Sequence, residues 1–139
     1  MTFSVATVAD INSVTIDGIT ETVILDYFAT LNGGNFVKTA ALFAENGALH
    51  APFEPLIIGK EAIATYLAAE AKGMKLLPRE GIKETVEEDL QLVRVTGKVE
   101  TPLFGVNVSW QFLLTPEDEI LAVKVKLLAS PQELLKLRR

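Results

Sequence analysis

The hydrophobic period of this chain changes partway along it, and that change limits the possible folds more than any other feature. Apolar residues recur at helical spacing in the segments between Thr20 and Gly73, then at every second position from Lys83 onward. A period near 3.6 puts one stripe of a helix against a core, and a period of two puts one face of a strand there. Helices followed by a run of antiparallel strands is an α+β pattern, with the helices on one face of the sheet. The clearest alternation is "VNVSWQFLL", in which Val106, Val108, Trp110, Phe112 and Leu114 are apolar and Asn107, Ser109 and Gln111 are polar. It places the only tryptophan on the buried side, where its indole N–H needs a partner.

Thr20 reads as the N-cap of a first helix, with Ile19 and Ile24 as a hydrophobic staple. Val23, Ile24, Tyr27, Phe28 and Leu31 form its apolar stripe, Asp26 falls outside it, and "NGGN" ends it. A second helix is expected from about Phe36 to Phe43, stopping at "ENG". "ALHAPFEPLIIG" reads as a short extended piece and a loop, and "KEAIATYLAAEAKG" as a third helix closed by Gly73. Strands follow: Lys83 to Glu87, then, after an "EED" turn, one with Val93, Val95, Val99 and Thr101 opposite Arg94, Thr96 and Lys98. "TPLFG" interrupts before the tryptophan strand, and "TPEDE" is a hairpin loop. Leu121, Val123, Val125 and Leu127 face away from Lys124 and Lys126 in the last strand. "SPQE" is a capping box that launches a short helix carrying Leu134, Leu135 and Leu137. The division expected is an arm over 1–18, one domain over 19–129 and a tail helix over 130–139. A sheet that curls around the helices makes a cone with an apolar interior, into which Tyr27 and Trp110 point.

Composition removes several chemistries. With no cysteine there are no disulfides and no thiolate metal sites, and a single histidine, His50, cannot build a multi-histidine site. A net charge of −5 without a basic stripe argues against nucleic acid. The start "MTFSVATVADINS" has no basic n-region, so a cytoplasmic protein is expected. His50 and Glu54 flank a proline loop and read most simply as surface residues, and Glu70 as a solvated helix end. On periodicity alone Tyr27 and Trp110 read as ordinary core aromatics.

A longer set of words changes that reading. "ETVILDYFATLN", "FVKTAALFAENGAL", "PFEPLIIGKEAI", "KGMKLLPREG", "GKVETPLFG", "SWQFLLTPEDEI" and "LLASPQELLKLRR" are collinear from about Ile16 to Arg139. They resemble the nuclear transport factor 2-like superfamily, and within it the C-terminal domain of the cyanobacterial orange carotenoid proteins and its stand-alone homologues. The resemblance implies a nuclear transport factor 2-like cone and a bound ketocarotenoid of the echinenone or canthaxanthin type. Its ring carbonyl would accept hydrogen bonds from the Tyr27 hydroxyl and the Trp110 indole. A keto oxygen in hydrocarbon needs donors, and leaving one unpaired costs about 1–3 kcal/mol. By the same resemblance Met74, Leu76, Val99, Thr101, Leu103 and Val125 line the pocket. Leu103 stands where the family often has tryptophan, the stretch between "FG" and "SW" is shorter, and Glu70 matches a carboxylate that pairs with the helical domain.

The function implied is that of a carrier, not an enzyme: pigment held by one ring, passed to a helical carotenoid protein, with reactive oxygen quenched meanwhile as photoprotection. A homodimer covering both ends of the pigment and transient membrane contact during uptake complete the expectation. The alternatives are a small isomerase or hydrolase of the same fold, which needs an ionisable group inside the cone, and a pure dimerisation domain.

Overall fold

Ile24, Tyr27, Phe28 and Leu31 lie on one stripe of helix α1 (Thr22–Asn32), and all four are buried. The computed structural model describes residues 14–128. The tail helix expected over 130–139 and most of the N-terminal arm lie outside the described residues. Helix α1 begins one residue later than the capping pattern predicts. Its N-cap is Glu21, without a side-chain cap bond, and the Thr20 amide is instead held by the Glu21 carboxylate at 3.2 Å. Ile19 and Ile24 both lie in the core.

Helix α2 (Phe36–Ala41) is capped by Asn35, whose side chain accepts from the Lys38 amide. It is shorter than predicted. Phe43 opens strand β1 (Phe43–His50), which runs through "ENG" where the sequence pointed to a stop. An irregularity between Phe43 and Ala48 leaves Glu45 and Asn46 exposed and buries Gly47, where a Cβ would come within 2.8 Å of the Ile120 carbonyl oxygen. After β2 (Ile57–Ile58), helix α3 (Lys60–Glu70) ends in a cap at Ala71, and Gly73 follows it in the left-handed region at φ 85°.

Strand β3 (Lys75–Thr85) starts eight residues before the predicted Lys83 and contains Pro78. Proline is tolerated because β3 is an edge strand, at the end of the order β2-β1-β6-β5-β4-β3. A bulge between Pro78 and Glu80 shifts its pairing to β4 (Gln91–Glu100). Gly97 makes that approach possible, since a Cβ there would collide with the Leu77 carbonyl oxygen. A 3-10 turn, Glu87–Asp89, joins the two strands where "EED" predicts a turn. β4 ends at Glu100, so Thr101 falls in the loop and not on the strand face.

β5 (Gly105–Leu114) and β6 (Ile120–Leu128) complete a curved sheet. Neighbouring pairs are antiparallel except β1 with β6, which is parallel. The fold is the expected α+β cone. On its inner face Trp110 sits in register between Val95 and Val125, and Phe112 between Val93 and Val123. These β-branched neighbours hold the large rings in place. Ser109 is buried too, although it lies on the opposite face of its strand from Trp110. The free edge of β3 is covered at two points. Asp17 exchanges backbone bonds with Arg79 and Gly81, and the Asn32 side-chain amide pairs with both backbone groups of Leu76, at 2.9 and 2.8 Å.

Candidate functional site

The rings of Tyr27, Phe28, Trp110 and Phe112 form a cluster of edge-to-face contacts at the base of the cone. Phe28 lies 5.3 Å from Tyr27 and 4.8 Å from Trp110, and Phe112 lies 5.1 Å from Tyr27, as centroid distances. Phe28 and Phe112 stand behind. Tyr27 and Trp110 face a cavity of about 360 Å³. This volume falls in the range of small-molecule sites.

Among the described residues neither the Tyr27 hydroxyl nor the Trp110 indole N–H makes a hydrogen bond, yet no buried side-chain polar atom is sealed off without a partner. Both residues line the cavity. Burial pushes the Tyr27 phenol well above its usual range, and the nearby Tyr66 adds to this. Tyr27 thus stays an O–H donor. The cavity base offers two hydrogen-bond donors, each on a large apolar body.

Met74, Leu76, Val99, Thr101 and Val125 join Tyr27 and Trp110 in lining the cavity. Leu103 does not. It is 89% exposed at the tip of a turn built by the Thr101 hydroxyl, which accepts from the Leu103 and Phe104 amides and donates to the Phe104 carbonyl. That turn directs Phe104 to the cavity instead. It also engages the Thr101 hydroxyl, so Thr101 lines the wall without offering a free polar group.

Phe53 and Tyr66 also line the cavity and escaped the sequence reading, and Glu54 and Glu70, read there as a surface residue and a solvated helix end, line it as well. Burial raises the Tyr66 phenol, and the Glu54 and Glu70 carboxylates raise it further. Tyr66 lies one turn before Glu70 on α3, and that spacing was the available signal. Phe53 had none, because its loop has no period. His50 and Asp26 are exposed, as expected, and neither lines the cavity.

No protein-family model matches the chain. Orange carotenoid-binding proteins of Limnospira maxima and Synechocystis sp. are 43% and 42% identical to it over 128 and 130 residues. The matches cover 89% and 91% of this chain and 40% and 41% of those relatives, so the chain spans about two fifths of their length. The structure of the Anabaena (Nostoc) orange carotenoid protein binding canthaxanthin superposes with a TM-score of 0.82 at 43% identity, over 89% of this chain and 41% of that one. A nuclear transport factor 2-like protein from Cytophaga hutchinsonii, 18% identical with a TM-score of 0.63, covers 87% of this chain and 96% of its own, and shows the fold alone. The chain is a homologue of the C-terminal domain of the orange carotenoid-binding proteins, built on a nuclear transport factor 2-like fold.

Proposed function

We propose that this chain is a ketocarotenoid carrier whose cavity takes one terminal ring of the pigment, of the echinenone or canthaxanthin type. The observation that carries the reading is the pair of donors, Tyr27 and Trp110, which line an apolar cavity and have no hydrogen-bond partner among the described residues. They suit a ring ketone. They also discriminate against a plain hydrocarbon ring, which would leave both donors dry and unpaired. Val99, Val125, Leu76 and Met74 would pack the ring and the first carbons of the polyene.

A pigment that leaves through the mouth needs a second cover for its other end. A homodimer, or a helical carotenoid protein during transfer, supplies it. Phe53, Leu103 and Phe104 are exposed apolar side chains beside the mouth and suit brief contact with a membrane during uptake. Among the described residues no helix is long and apolar enough to cross a membrane. Quenching of reactive oxygen belongs to the pigment itself, and the protein contributes by holding it in solution.

An enzymatic reading would use the carboxylates of Glu54 and Glu70. Both residues are exposed, whereas the donor pair is buried. Apo protein incubated with canthaxanthin-loaded liposomes tests the carrier reading. Pigment should co-elute with the protein after flotation of the vesicles, at a mass twice that of the chain. Pigment that stays with the vesicles, or a strictly monomeric loaded protein, counts against it.

A further inference from the structure

A second concavity, of about 710 Å³, lies on the other side of the wall formed by Leu31, Met74 and Leu76, which line both spaces. The two differ in charge. Among the described residues the pigment cavity is lined by two carboxylates, Glu54 and Glu70, and no cation. Among the described residues the groove is lined by three cations, Lys72, Lys75 and Arg79, and no carboxylate. All three side chains are exposed, and among the described residues none is in an ion pair. In a protein of net charge −5 such a concentration runs against the overall field.

The floor beneath the cations is apolar. Val14, Phe36, Leu77 and Pro78 are half-buried there, and they leave hydrocarbon surface that a small inorganic anion would not cover. An arginine and two lysines along the rim of an apolar trough suit a ligand with one anionic head and one aliphatic chain. We infer that this groove is a second ligand site, for a fatty acid, and that its occupancy is felt in the cavity through the shared wall. The wall is stiff enough to carry a displacement. Leu76 is held by the Asn32 amide on one side and paired with Val99 on the other, and Asn32 ends the helix that carries Tyr27.

Laurate binding to the pigment-free protein tests the site independently of any pigment. Calorimetry should give one laurate per chain at concentrations below micelle formation. Dodecanol and dodecyltrimethylammonium, with the same chain length, should bind at least about tenfold more weakly, since charged hydrogen bonds supply the difference. The fluorescence of Trp110, the only tryptophan, should change as laurate binds. Reversing the rim with Lys72→Glu, Lys75→Glu and Arg79→Glu should abolish the preference for the carboxylate, and Lys75→Gln with Arg79→Gln should weaken laurate without reversing it. Trp110→Phe should bind laurate as tightly as the parent. Absence of laurate binding overturns the site. So does equal binding of dodecanol with no effect of the rim variants, because the chain is then entering the pigment cavity.

Discussion

The base and the mouth of the cavity are both rich in aromatic residues, and they use them in opposite ways. At the base Tyr27, Phe28, Trp110 and Phe112 are at most 2% exposed and are locked edge to face on regular elements. At the mouth Phe53 is 93% and Phe104 is 61% exposed, and both sit on loops. Phe53 also adopts φ 65°, which is uncommon for a residue with a Cβ. Aromatics at the base stabilise the fold and fix where the two donors point. Aromatics at the mouth contribute little to folding and are free to meet what enters. In the proposed function, recognition belongs to the base and access to the mouth.

The largest effect that separates the two ends is on stability. Phe112→Ala removes a fully buried ring and should cost about 3–5 kcal/mol in denaturant unfolding, because a cavity remains. Phe104→Ala should cost no more than about 0.5 kcal/mol. Equal costs would erase the distinction between base and mouth.

The next effect depends on pH. The Tyr27 phenol is raised by burial, so the folded state keeps its proton where the unfolded chain has lost it. Stability is then fully kept below the unfolded value of about 10, and falls as pH rises from there towards the folded value. The slope is about 1.4 kcal/mol per pH unit for one such group. Tyr66→Phe removes the other raised phenol, and in that background Tyr27→Phe should flatten the decline. An unchanged slope would mean that the hydroxyl is not buried at the cavity base.

The smallest effects belong to the turn at the mouth. Phe104→Ala should change the rate of pigment uptake from liposomes while leaving the absorption maximum of the loaded protein unmoved. Leu103→Ala, outside the cavity lining, should leave the maximum and the retained pigment as they are. A shifted maximum in either would place the mouth in contact with the ring, contrary to the division drawn above.

The base was legible from residue spacing, and the mouth was not. Tyr27 and Phe28 lie on a 3.6-residue stripe, and Trp110 and Phe112 on a strict alternation, so local periodicity names them before any fold is known. Periodicity cannot find Phe53 or Phe104. Their positions depend on a proline loop and on a turn closed by the Thr101 hydroxyl. Strand boundaries failed where one residue broke the local rule and a distant contact restored it. Pro78 is accepted because β3 is an edge, and Gly97 on the neighbouring strand makes room for the bulge beside it. Asn46 and Gly47 look like a turn, yet they lie within β1 because the pairing with β6 is irregular there. The polar trio of Glu54, Tyr66 and Glu70 joins a loop to a helix, and only its Tyr66–Glu70 half has a local spacing.

The most direct test of the account is the visible spectrum of the protein purified from a ketocarotenoid-producing host, beside Tyr27→Phe, Trp110→Phe and the double variant. Each substitution keeps an aromatic ring and removes one donor. The account predicts a coloured parent, a blue-shifted maximum or reduced retention in each single variant, and a larger loss in the double. A colourless parent, or four proteins with the same maximum and the same pigment content, would contradict it.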